Sequence, residues 1–319
     1  MAYPTTSTPA IRTIHKEHQH LSWDNSRRPA LAVAPGETVG FKDIDGTLGQ
    51  LTRDSTARDV GNLDLSRVNA ISGPVFVDGA QPGDVLKVTL VGFESPGWGW
   101  TAIIPEFGLL ADDFPDPAIN IWNYDPGFGK PAAYSPGARV PLKPFCGTVG
   151  VARAEPGSHS TIPPYRGGGN MDIRDLTLGV ELYLPIEVEG ALFSIGDPHA
   201  AQGDGEICGT AIETLANVSV RLDLEKGTPL SFPRFVTPGP VTRHLDAKGY
   251  DVTTGIGPDL MDAAKDCVRG MIDLIGARHS MRPEDAYMLL SVCADLRISE
   301  VVDRPNWVVS CYLPRLVFD

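Results

Sequence analysis

Apolar and polar residues alternate, or apolar residues run in short blocks, along most of the chain; only near the C-terminal end do apolar positions recur every three or four residues. Alternation of this kind places one face of a strand against a core. It predicts strands at residues 39–41, 73–78, 85–90 and 145–151, then at 176–184, 191–195, 213–224 and 231–236, with residues 307–314 as a closing strand. Turn signals separate them. Asp45-Gly46 predicts a turn and a returning strand over 49–52, and Pro82-Gly83-Asp84 predicts antiparallel pairing of its two flanking strands. Helical spacing follows Pro258 (Leu260, Ala264, Cys267, Val268, Met271, Ile275) and Pro283 (Ala286, Leu289, Leu290, Cys293, Leu296). These are two amphipathic helices expected to cover a sheet face, with Cys267 and Cys293 in their apolar stripes. Residues 95–138 combine Pro, Gly and many aromatics with weak periodicity, which reads equally as ordered loops over a site or subunit contact or as a satellite core under long loops.

Composition sharpens this picture. The 319 residues include 34 Gly and 28 Pro, so turns are many and helix is limited; a mainly β protein with a smaller α+β C-terminal part is expected. The length allows one domain or two, and the turn-rich passage 156–169 separates an N-terminal β-rich part (1–155) from a central and C-terminal part (156–319) within what is read as one unit. A net charge of −13 argues against nucleic-acid or anionic-membrane partners, which need a basic surface. Five cysteines without a close pair suggest neither a disulfide framework nor a thiolate zinc site. The N-terminal stretch has no signal-peptide core and no run of about 18 apolar residues occurs, so a cytoplasmic protein is expected.

Candidate chemistry concentrates between Arg166 and Glu213. Asp172 closes a Gly-rich turn that contains Gly169 and Asn170, and Asp197, His199, Asp204 and Glu206 follow within ten residues. Carboxylates and an imidazole at such spacings are ligands for a divalent ion if they converge. A hairpin of the intervening strands would bring Asn170 and Asp172 to the second group. If Gly203-Asp204-Gly205-Glu206 is extended, both acids share a face and the glycines let backbone approach what they hold. Solvated acids and a loop histidine would be the plainer account. Against it, no basic residue lies within 202–206, and apolar blocks enter and leave the group directly. No GxSxG, HExxH, P-loop or dinucleotide fingerprint is present. Cys208 would share a face with Glu206 and is a second candidate, as a nucleophile. His20 and Asp24, flanking Trp23, are secondary candidates for a substrate pocket.

The segments Gly168-Gly169-Asn170-Met171-Asp172, Gly190-Ala191-Leu192-Phe193 and Gly196-Asp197-Pro198-His199 through Glu206 resemble the acetamidase/formamidase family. His20 with Trp23-Asp24, residues 73–84, Pro144 to Thr148 and residues 284–302 agree in order, so the resemblance covers nearly the whole chain. Pro198 departs from the small residue expected there and stiffens the approach to His199. The resemblance implies a β-sandwich (jelly-roll-like) fold, a homo-oligomer, and hydrolysis of a short amide such as formamide or acetamide to carboxylate and ammonia. Combined with the residue pattern, it leads to a divalent metal, zinc for preference and calcium as the alternative, held by Asp172, His199 and Asp204. Glu206 is expected to act as general base and Asn170 to steady the oxyanion, with His20, Asp24 and Gly169 near the substrate. A calcium-stabilised β-sandwich that binds a ligand is the competing class, and His199 is the residue that argues against it.

Overall fold

Val85–Glu94 and Ala216–Glu225 turn their alternating sequences into long strands, paired antiparallel, whose alternate side chains are buried. They lie at the centre of a six-stranded sheet completed by Arg12–Ile14, Glu37–Ile44, Glu181–Pro185 and Arg234–Val236. The computed structural model describes residues 11–134, 137–227 and 229–318; residues 1–10, part of the stretch in which no signal-peptide core is read, lie outside them.

A nine-stranded sheet provides the second layer. It runs from Gly168–Asn170 through Phe145–Val151, Phe193–His199, Glu213–Thr214 and Trp98–Ile103 to Ala118–Asn123, and Ile71–Val77 also pairs with Phe193–His199. Leu86, Val88 and Val220 of the first layer meet Val75, Val149 and Ile195 of the second in one buried core. The rings of Phe41 and Phe193 touch edge to face at 6.2 Å between them. This is the expected β-sandwich.

The two predicted helices are Leu260–His279, with Asp259 capping the amides of Met261 and Asp262, and Pro283–Cys293, with proline in its first turn. Both pack on a three-stranded sheet of Tyr250–Gly257, Trp307–Pro314 and Asp295–Glu300. Cys267 and Cys293 are buried in that packing, as expected, whereas Leu296 lies in a strand beyond the helix.

Three local expectations need correction. Residues 71–77 and 85–94 are strands but not a hairpin, because the Pro-Gly-Asp turn carries the chain from one layer to the other. The returning strand at 49–52 is absent: Asp45 accepts from Thr47 and from the Gly49 amide, which curls the chain towards the short helix Ala57–Gly61. Residues 95–138 contain Trp98–Ile103 and Ala118–Asn123, an antiparallel pair hidden in sequence by the surrounding Pro and Gly. The sandwich also crosses position 155. Phe145–Val151 pairs with Gly168–Asn170 on one side and Phe193–His199 on the other.

Candidate active site

Phe145–Val151 is buried at every position, and it organises the polar cluster. Asp172 follows the strand on one of its edges, while Asp197 and His199 belong to the strand on the other. Asp172 therefore reaches His199 through a shared neighbour instead of the expected hairpin. Glu213 stands opposite His199 in register on the next strand. Between them the chain loops out through Glu206, and bonds from the Ala200 amide to the Ile212 carbonyl (2.8 Å) and from the Ile212 amide to the Ala201 carbonyl (2.9 Å) close that loop.

Gly147 makes the convergence sterically possible. A Cβ there would lie 2.3 Å from Asp172 Oδ1, 2.6 Å from Asp197 Oδ2 and 2.9 Å from His199 Cε1. Asp172, Asp197 and Glu206 all have positive φ (49°, 57° and 44°), a conformation that costs a non-glycine residue on the order of 1–3 kcal/mol. Three strained carboxylates at one point are held there by the surrounding fold.

His199 is fully buried. Its Nδ1 lies 3.0 Å from Gln202 Oε1, and Gln202 Nε2 donates to the Asp172 carbonyl at 2.7 Å. The amide oxygen can only accept, so Nδ1 carries a proton and Nε2 is left to face the carboxylates. Nε2 is 3.2 Å from Asp197 Oδ1 and 3.1 Å from Glu213 Oε2, yet it forms no well-directed hydrogen bond, and Asp172 Oδ1 is likewise sealed from solvent without a partner.

The electrostatics follow from burial and crowding. Burial, reinforced by Asp197, pushes the Asp172 carboxyl up to about 7. Burial, then Asp172, raises Glu206 well above the carboxylate range, and burial also raises Glu213. For Asp197 burial is outweighed by His199, and its carboxyl is held low. Burial opposes a charged His199, but Glu213 and Asp197 overcome it and raise the imidazole well above its usual value. Four acids around one imidazole would be costly in a dry site if all were ionised; without a cation they take up protons, and a bound cation would let them ionise.

The donor set fits a divalent metal. Ligand atoms of Asp172, Asp197 and His199 lie within 4.8 Å of one another, as do those of His199, Glu206 and Glu213. Asp172 and His199, the two residues with an orphaned buried atom, both belong to the first triad, which makes it the better cradle. A cavity of about 300 Å³ opens on the cluster, with Asn170, Asp197, Glu206 and Glu213 on its inner wall. Asn170 Oδ1 accepts from the Thr148 hydroxyl at 2.6 Å, which leaves its NH2 group to donate towards the cavity.

The other sequence candidates lie elsewhere. Asp204 is not beside His199: its carboxylate is 3.4 Å from Arg174 Nε, and Arg174 also pairs with the buried Asp295. Residues 203–209 turn instead of running extended, with φ of +107° at Gly205, so Asp204 and Glu206 point apart. The glycines do allow close approach, but to the C-terminal part; a Cβ on Gly203 would sit 1.9 Å from the Ala294 carbonyl oxygen. Cys208 is fully buried, its thiol raised by desolvation and directed at the Ala102 and Thr210 carbonyls, which suits packing and not attack.

His20, Asp24 and Gly169 are absent from the cavity wall. His20 bonds the Ser22 carbonyl, and burial lowers it to about 4. Asp24 accepts from Ser26, and Gly169 packs on the Tyr165 ring. Sequence alone does not single out Glu213, Gln202 or Gly147. The one signal for Glu213 is an acid between Ile212 and Thr214 at the end of an apolar block.

A model of the acetamidase/formamidase family matches residues 8–156 and 153–319. The chain belongs to the acetamidase/formamidase family. A formamidase from Methylophilus methylotrophus is 26% identical, with 94% of this chain and 89% of that protein covered. An acetamidase from Mycolicibacterium smegmatis is 32% identical over 65% of this chain and 66% of its own. The solved structure of a gamma lactamase from Delftia acidovorans superposes with a TM-score of 0.87 at 27% identity, covering 95% of this chain and 90% of that one. This member of the family thus combines the shared fold with a buried His and carboxylate cluster at the floor of a cavity.

Proposed function

We propose that the chain is a metal-dependent amidohydrolase that converts a neutral short-chain carboxamide, of the formamide or acetamide type, to carboxylate and ammonia. The observation that carries this reading is the pair of buried atoms without a hydrogen-bond partner, His199 Nε2 and Asp172 Oδ1, in an acidic cluster that opens on a cavity of about 300 Å³. Family membership, with relatives named formamidase and acetamidase, supports the reaction class.

Asp172, Asp197 and His199 would hold the ion, and Gln202 would fix the imidazole with Nε2 inward. An imidazole among the donors favours zinc over calcium. When bound, such an ion supplies Lewis-acid polarisation of the amide carbonyl and lowers the pKa of a water. Glu206 lines the cavity beside that position, and with the charge of a bound ion favouring its ionised form it would take a proton from the attacking water. The same carboxyl returns the proton to the amide nitrogen as the C–N bond breaks, so that ammonia and not an amide anion leaves. Asn170 Nδ2 donates to the oxyanion formed at the former carbonyl oxygen.

Ammonia release from acetamide and propionamide tests the proton route. Glu206→Gln keeps the shape and removes the titrating group, and kcat is expected to fall by about 10²–10⁴. Wild-type kcat in that variant would remove Glu206 from the mechanism. We further place the enzyme in the cytoplasm as a homo-oligomer. Five buried free thiols suit a reducing compartment. None of the described helices is long and apolar enough to cross a membrane. Val252 and Ile256 are exposed on the side of their strand turned away from the helices, a face suited to a second copy.

A further inference from the structure

The cavity walls carry information about substrate that the cluster does not. Beyond the acids and several Thr and Asn side chains, the cavity has an apolar wall that includes Leu63, Leu65, Val68, Trp100, Ile104 and Ile162, with Phe107 at its rim. These side chains come from three separate segments, the 63–68 loop, the strand and turn at 100–107, and the turn at Ile162, so the apolar wall is assembled by the fold. Leu65 and Phe107 are about half exposed (53% and 47%), whereas Trp100 is buried at 7%, which makes the wall deepen towards the cluster. Its volume is about 300 Å³. Acetamide occupies about as much space as three waters, so the cavity has room well beyond it.

Charge narrows the occupant further. Among the described residues the cavity lining includes Asp45, Glu106, Asp197, Glu206 and Glu213 and no Lys, Arg or His. An ion held by the inner carboxylates leaves Asp45 and Glu106 in place nearer the opening. A substrate carrying its own carboxylate would meet negative charge without a cationic partner, and an amide with a one-carbon acyl group would leave the apolar wall facing water.

We infer that the preferred substrates are neutral primary amides whose acyl group carries an apolar extension of about four to seven carbons, seated against Leu63, Leu65, Val68 and Ile104, and that carboxylate-bearing amides are rejected. This inference rests on the amidohydrolase reading and adds the substrate class to it.

The test compares kcat/KM for ammonia release from acetamide, butyramide, 4-methylpentanamide, phenylacetamide and succinamate, using the intact metal-loaded protein. Each buried methylene is expected to contribute about threefold, so 4-methylpentanamide should exceed acetamide by at least about 30-fold. Succinamate should fall at least about tenfold below butyramide, which has the same four-carbon acyl chain without the carboxylate. Ile104→Asn should reduce the 4-methylpentanamide to acetamide ratio by at least about fivefold; Leu65→Asn, at the exposed rim where folding is safe, should reduce it in the same direction. Acetamide equal to or better than 4-methylpentanamide, or a ratio unmoved in Leu65→Asn, overturns the inference while leaving amide hydrolysis standing. No ammonia from any amide of the series overturns the amidohydrolase reading itself, and the inference with it.

Discussion

At the scale of the residue, the cluster depends on one position that carries no chemistry. Gly147 faces Asp172, Asp197 and His199 from the middle strand, and the three nearest atoms to a Cβ placed there all belong to them. Gly147→Ala is therefore expected to displace these carboxylates and the imidazole before it disturbs the core. We predict at least a tenfold loss of kcat and of bound metal, with a stability change within the roughly 1–3 kcal/mol of an overpacked site, read from a urea melt. Normal turnover in this variant would mean the carboxylates have other acceptable positions. Gln202 acts on the same cluster through hydrogen bonds, holding the His199 tautomer and the Asp172 carbonyl together.

Elements explain why some of this site can be read in the sequence and some cannot. Strands such as 85–94 and 145–151 are legible because alternation or a short apolar block reports burial directly. Their partners are not legible, because pairing joins residues far apart in the chain: Thr148 lies opposite Asn170 on one edge and Gly196 on the other. Asp172, His199, Glu206 and Asn170 can be picked out from local density of polar residues in an apolar context. Asp204 cannot be placed correctly that way. An alternating tetrapeptide shares a face only when extended, and this one turns. Glu213 escapes notice because its role depends on lying across from His199 in a neighbouring strand. Gly203 shows the same limit. It permits close approach as its sequence suggests, but the thing approached is the end of Pro283–Cys293. Gly203→Ala should destabilise the protein by about 1–3 kcal/mol through overpacking against rigid backbone. Differential scanning calorimetry should show a lower Tm, and an unchanged Tm would mean that the helix end can move aside.

At the scale of the whole molecule, two large cores flank the candidate site, and a small third core around Trp100 and Ala102 backs its cavity. One large core fills the sandwich, and the other joins residues 103–140 to the C-terminal helices and sheet. The loop from Ala200 to Ile212 spans the junction: Ala200, Ala201, Ile207 and Ile212 are buried in the second core, while Glu206 faces the cavity. The C-terminal part thus supports the site without lining its acidic wall. Its outer strand face is the place to test assembly. Ile256→Lys, at a side chain 63% exposed, should lower the molar mass measured by light scattering if copies associate there. The same mass for both proteins would rule that face out as the contact.

The central claim is that the buried imidazole and carboxylates hold a divalent ion on which amide hydrolysis depends. Ammonia release before chelation, after exhaustive chelation, and after titration with zinc measures it directly. Activity is expected to fall by at least about 100-fold on metal removal and to return as about one equivalent of zinc per chain is restored. Full turnover by protein shown to contain no metal would contradict the account.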